Sequence, residues 1–167
     1  IREKVLGTEH PSTAASYSNI GVCNCYLGDY DKALVYLNKA LEIREKVLGT
    51  EHPDTALSYN NIGVCYDDLG DYDKALEYYN KALEIREKVL GTEHPSTALS
   101  YNTIGGCYDD LGDYDKALEY YNKALKIREK VLGTEHPDTA LSYNNIGACY
   151  DNLGDYDKAL EYYNKAL

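Results

Sequence analysis

The side chains able to do chemistry recur in this chain at one fixed interval. His10, His52, His94 and His136 each stand directly before a proline, and Cys23, Cys65, Cys107 and Cys149 keep the same spacing, with Cys25 as an extra thiol. An imidazole beside a thiol could form a nucleophile and its base, and His with Cys could hold a metal, but both need unlike groups converging on one point. Here each type is instead copied once per period, in one local sequence. No Ser/His/Asp arrangement, phosphate-cradling glycine-rich loop or clustered ligand motif accompanies them. Catalysis, a metal and a cofactor are therefore not expected. A second polar set carries binding chemistry. Asn60, Asn61, Asp67 and Asp68, with counterparts one and two periods on, offer amides that donate and accept and carboxylates that attract cations.

A repeat positions these residues. The segment from Ile43 to Glu84 recurs from Ile85 with four substitutions and from Ile127 with two, and in more altered form from Ile1. Self-similarity at a period of about 20–50 residues marks a solenoid, whose units bury their apolar faces only against one another. All 19 aromatic residues are Tyr, so composition reports the copying of one ancestral unit rather than a function. Within the unit, Gly49 and Gly91 follow Lys-Val-Leu and close a helix, with the basic side chain in its last turn. Pro53 then stands where a first helical residue belongs, and Asp54 adds negative charge to the opening turn. From Pro53 to about Leu69, the residues Ala56, Tyr59, Ile62, Gly63, Tyr66 and Leu69 recur at helical steps and define helix A. Gly70-Asp71 breaks it. Asp71 or Asp73 caps helix B, whose apolar stripe is Tyr72, Ala75, Leu76, Tyr79, Ala82, Leu83, Ile85 and Leu90.

Tyr59, Ile62-Gly63, Tyr66, Gly70, Tyr72, Ala75, Tyr79 and Ala82 follow, in order and spacing, the pattern aromatic, Leu-Gly, Tyr, Gly-x-Tyr, Ala, aromatic, Ala. Over its whole length the chain resembles the tetratricopeptide repeat family. The usual module of that family is shorter, and its Pro after helix B would fall at Glu87, where this helix continues. The long form is similar to the repeats of kinesin light chains and of arrays attached to signalling NTPases, which implies an adaptor or sensor region. The resemblance implies an all-α, right-handed solenoid of antiparallel helix pairs, with seven full helices and partial helices at the ends. The frame is a single array over residues 1–167: 1–7 as the tail of a preceding helix B, then modules 8–49, 50–91, 92–133 and a truncated 134–167. Gly63 and Ala75 are expected to let helices A and B approach closely.

The family frame also sets the chemistry. Equivalent histidines lie one module apart along a stack, which suits a capping or turn-packing role. Equivalent cysteines fall on helix A beside the core stripe, on helices roughly 8–10 Å apart, too far for a disulfide between them. They are read as small buried thiols in a reducing setting. Cys25, where the other modules carry Asp67, Asp109 and Asp151, is expected to be exposed and oxidisable.

In tetratricopeptide arrays the concave surface is lined mainly by helix A, which implies a peptide-binding groove of Leu57, Asn60, Asn61, Val64, Asp67 and Asp68 in module two. Module three offers Leu99, Asn102, Thr103, Gly106, Asp109 and Asp110, and module four Leu141, Asn144, Asn145, Ala148, Asp151 and Asn152. Asn60, Asn102 and Asn144 would form an amide ladder for an extended backbone, and the acidic rim would select Lys or Arg. Most differences among these modules fall here: Asn61/Thr103, Val64/Gly106/Ala148 and Asp68/Asn152. Groove arrangements in this family that bind carboxylate tails or acidic cargo use Lys and Arg, which this helix A lacks.

A net charge of −11 argues against nucleic acid and anionic membrane as partners, and no apolar run reaches a membrane span. The expectation is a non-enzymatic, cytoplasmic scaffold for a neutral or basic protein segment. The alternative is a structural spacer that stacks head to tail, since residues 1–7 supply the kind of helix tail missing after Leu167 and the chain reads as a stretch of a longer array. Module one departs most, with Ala15, Asn24, Cys25-Tyr26, Val35 and Leu37 in place of Leu57, Tyr66, Asp67-Asp68, Glu77 and Tyr79.

Overall fold

The computed structural model describes residues 2–167, and every regular element among them is an α-helix. In chain order these are α1 (Arg2–Leu6), α2 (Pro11–Tyr26), α3 (Tyr30–Leu48), α4 (Pro53–Asp68), α5 (Tyr72–Leu90), α6 (Pro95–Asp110), α7 (Tyr114–Leu132), α8 (Pro137–Asn152) and α9 (Tyr156–Ala166). The even-numbered helices are copies of helix A and α3, α5, α7 and α9 copies of helix B. The chain divides into two compact units, Ile1–Val89 and Leu90–Leu167. In the first, α2 packs on α3, α3 on α4, and α2 also touches α4; in the second, α6 packs on α7, α7 on α8 and α8 on α9.

Each helix A starts with Pro at its first turn and a histidine cap. The Nδ1 atoms of His10, His52, His94 and His136 accept the backbone N–H of Ser12, Asp54, Ser96 and Asp138, all at 3.1 Å. This satisfies one of the amides that a helix start leaves without an intrahelical partner. Imidazole thus does the work usually given to Ser, Thr or Asp. Helix B begins on an aspartate: Asp29, Asp113 and Asp155 each accept the N–H three residues on. It ends at Gly49 and Gly133, whose φ values of 93° and 88° lie where an L side chain is strained.

The pairing within a module depends on a helix A glycine. A Cβ on Gly63 would stand 2.6 Å from the Tyr79 ring, one on Gly105 2.7 Å from Tyr121, and one on Gly21 2.6 Å from Leu37. Successive modules are then joined by burial and by polar clamps. Ile62 and Ile146 are fully buried against the preceding module, beside Cys65 and Cys149, and each isoleucine contributes about 1.5–3 kcal/mol. The Thr55 and Thr139 hydroxyls donate to the Gly49 and Gly133 carbonyls at 2.8 Å, tying the start of each helix A to the end of the helix B before it. Tyr59 and Tyr143 donate likewise to Glu45 and Glu129. Leu69, placed in the apolar stripe by periodicity, is exposed at the end of α4. It is the C-cap residue there, and Gly70 turns the chain away immediately after it.

Candidate functional site

On α4 the residues Leu57, Asn61, Val64 and Asp68 follow one another by four, three and four positions and so share a stripe. Leu57 and Asp68 are exposed, and Asn61 and Val64 half-buried between them. The pattern repeats on α6, where Leu99 and Asp110 are exposed and Thr103 and Gly106 half-buried. It appears a third time on α8, with Leu141 and Asn152 exposed and Asn145 and Ala148 half-buried. The leucines are 41%, 51% and 47% exposed, although α4, α6 and α8 are otherwise packed elements.

The neighbouring row has a different environment. The Asp67 carboxylate accepts the Tyr79 hydroxyl at 2.9 Å, which ties α4 to α5. Asp109 accepts the Cys149 thiol at 3.9 Å, and burial, reinforced by Asp110, raises its carboxyl above the ordinary carboxylate range. Asn102 accepts from the Arg128 guanidinium at 3.1 Å and from the Asn145 amide at 3.2 Å, so its oxygen stitches α6 to α7 and α8. Asn61 donates to Ser18 at 3.1 Å, joining α4 to α2. Asn60 is half-buried, whereas Asn144 and Asp151 are exposed. The three amides of the expected ladder therefore stand in unlike environments, and the amide oxygen of Asn102 is engaged between helices.

One contributor escaped the sequence reading. Arg128 is buried, and one of its nitrogens donates to the Ser142 hydroxyl at 2.6 Å and the Asp138 carbonyl at 3.1 Å as well as to Asn102. Arg44 is buried in the same way and donates to Ser58 at 2.7 Å. Arg128 forms the floor of a pocket walled by Leu99, Leu132 and Leu141, with Asn102 and Asp138 at its edge. The available signal was that each of these arginines directly follows a buried isoleucine, Ile43 or Ile127, so it lies next to the core stripe rather than opposite it.

The cysteines reverse an expectation. Cys65, Cys107 and Cys149 are buried, but Cys23, their counterpart on α2, is exposed, and Cys25 is buried instead of exposed. Cys65 gains its cover from the α2–α3 module, and Cys25 is part of that cover. Among the described residues no group of three or more His, Cys, Asp or Glu is gathered closely enough to hold a metal ion, and no helix is long and apolar enough to cross a membrane.

With this geometry in place, the likeness to known proteins is specific. The tetratricopeptide repeat family model matches residues 1–46, 12–88, 68–130 and 110–167. The crystal structure of BtubC from P. vanneervenii is 29% identical with a TM-score of 0.84, over 94% of this chain and 63% of that one. A putative kinesin light chain of Podosopora anserina with nearly identical TPR-like repeats is 27% identical with a TM-score of 0.81, over 99% of this chain and 78% of that one. The apo form of RapI is 25% identical with a TM-score of 0.79, over 93% and 42%. This chain thus spans less than two thirds of BtubC and of RapI. No curated protein matches its sequence.

Proposed function

Because the chain belongs to the tetratricopeptide repeat family, we propose that it is a non-enzymatic, cytoplasmic scaffold that holds a neutral or basic protein segment along the exposed stripe of helix A. The observation that carries this reading is the recurrence of an exposed leucine at one end of that stripe and an exposed polar or acidic group at the other, in α4, α6 and α8 alike. Half-exposed apolar side chains at the same place in each helix A offer a repeated point of contact to a partner. Asp68 and Asp110 would each attract a Lys or Arg side chain, and in the second unit Thr103 and Asn145 border the path of a segment along α6 and α8. The stripe is also where near-identical modules differ, as expected of positions tuned by a partner. Net charge supports a partner that is neither nucleic acid nor an anionic membrane.

Fluorescence anisotropy with labelled extended peptides tests the reading. Lys/Arg-containing segments should bind, and Leu99→Ala with Leu141→Ala should weaken them several-fold. Equal binding of Lys/Arg-free controls, or no effect of the leucine changes, would count against the stripe.

A second reading, head-to-tail self-association, is favoured by one observation. Ile20 on α2 is 43% exposed, whereas Ile62, Ile104 and Ile146 at the same module position are fully buried. A second copy could cover it with α9, whose Leu160 is exposed where Leu34, Leu76 and Leu118 are half-buried. Sedimentation velocity across a concentration range should then show species that grow with concentration, and a single unchanging monomer removes this reading.

A further inference from the structure

Cys25 occupies the position that carries Asp67, Asp109 and Asp151 in the other modules. It belongs to the buried cluster that also contains Cys65, with Ala33, Leu37, Leu41 and Ile62 around them. The helices that carry the two thiols, α2 and α4, are in direct contact. The equivalent pair in the second unit shows how these positions meet: the Cys149 sulfur lies 3.9 Å from a carboxylate oxygen of Asp109, the two residues being separated by the same 40 positions as Cys65 and Cys25. Putting cysteine where that carboxylate stands sets two sulfurs at one inter-helix contact inside a shared buried cluster, where the Cys65 thiol donates to the Tyr30 carbonyl at 3.9 Å. They are not equivalent residues of successive modules, so the spacing that separates Cys23 from Cys65 does not apply.

We propose that Cys25 and Cys65 are a modification site, a dithiol that a peroxide converts to a disulfide joining α2 to α4. The sulfur of Cys25, a residue 6% exposed against 0% for Cys65, attacks a peroxide oxygen as the O–O bond breaks. With hydrogen peroxide this gives a sulfenic acid on Cys25 and one water. The Cys65 sulfur then attacks the Cys25 sulfur, forming the S–S bond and expelling hydroxide. Hydroxide takes up the remaining thiol proton as a second water. Two thiols lose two electrons in all, and the peroxide is reduced to two waters. Burial pushes both thiols above the ordinary cysteine range, so thiolate is scarce and the bond forms slowly. It acts as a lock on α2 and α4 rather than a rapid sensor. The bond encloses all of α3, and removing that loop's freedom from the unfolded chain raises the thermal midpoint of the first unit by roughly 10 °C.

The test uses the full chain carrying Cys23→Ser, which removes the exposed competing thiol. After hydrogen peroxide treatment, alkylation under denaturing conditions and non-reducing peptide mass spectrometry should show one intramolecular peptide pair containing Cys25 and Cys65, dispersed by a thiol reductant. Cys25→Asp restores the residue the other modules carry, so it keeps the helical circular dichroism signal while abolishing the pair. Cys65→Ser should leave a sulfenic acid on Cys25 that dimedone traps. The proposal is overturned if both thiols of the folded Cys23→Ser chain stay alkylatable after peroxide, or if the only cross-link found runs between molecules.

Discussion

Gly63 and Gly106 are both helix A glycines, and they should respond to the same substitution with opposite signs. An added Cβ on Gly63 would sit 2.6 Å from two Tyr79 ring carbons and 3.3 Å from the Ala75 carbonyl, so the buried ring must move. Gly63→Ala should lower stability by about 1–3 kcal/mol. At Gly106 the nearest atom to such a Cβ is the Tyr121 hydroxyl at 3.6 Å, an ordinary contact, and Ala148 already fills the equivalent place. Gly106→Ala should therefore raise stability by about 0.5–1 kcal/mol through helix propensity alone. Urea unfolding midpoints of the two variants check the contrast. The close approach at Gly63 was legible in the sequence because Ile62-Gly63 falls on the apolar stripe, with the aromatic Tyr79 waiting on helix B. The burial of Cys65, Cys107 and Cys149 was legible too, from their place beside that stripe, but which thiol of module one is covered was not. It depends on what the adjoining module places over each sulfur: Cys23 and Cys65 both follow Asn-Ile-Gly-Val, yet only Cys65 is covered.

Helix starts and stops were also readable, because Pro53 and Gly49 act on the backbone locally and leave the chain little choice. Contacts between consecutive modules were less so, since they join side chains 14 or 43 residues apart, on different helices, which the periodicity of one helix does not pair. Arg128 is the example: one guanidinium nitrogen supplies a donor to groups on α6 and α8 at once. Arg128→Ala leaves those acceptors buried without it and should cost about 2–4 kcal/mol, whereas Ser142→Ala, which removes one of the three bonds, should cost about 1 kcal/mol. Thermal melts of both variants followed by circular dichroism test the ranking. The tyrosine clamps make a pH prediction for the same junctions. Burial in the case of Tyr59, and the bond to Glu129 in the case of Tyr143, push the two phenols up to about 12. An unfolded chain releases those protons at about pH 10, so the folded state holds more protons above that point. The clamps' contribution is whole below about pH 10 and is lost as pH rises towards 12. Tyr59→Phe with Tyr143→Phe should flatten the alkaline fall in unfolding free energy, and an unchanged slope would assign the fall to other groups.

At the scale of the whole molecule, the question is whether a basic segment is attracted by the total charge or by the stripe. The chain carries −11 formally, and Asp68→Asn with Asp110→Asn brings it only to −9, since −11 + 2 = −9. If the overall field governs association, that change is minor and every surface acid is interchangeable. If the stripe governs it, two charges out of the 28 acidic residues should account for most of the preference. Both acids lie at the exposed end of a helix A stripe, open to water, so their attraction is screened over the Debye length of about 10 Å at 0.1 M salt. Binding of a Lys/Arg-containing segment should fall roughly tenfold between about 0.05 and 0.5 M NaCl. The doubly substituted chain should start weaker and show a shallower salt dependence. A control that removes two acids from helix B, Glu77→Gln with Glu119→Gln, alters the total equally, although each acid is exposed and paired with a lysine four residues on. Anisotropy titrations of the three proteins separate the cases: a loss confined to the Asp68 and Asp110 changes places recognition on helix A, and equal losses in both variants assign it to the field of the whole chain.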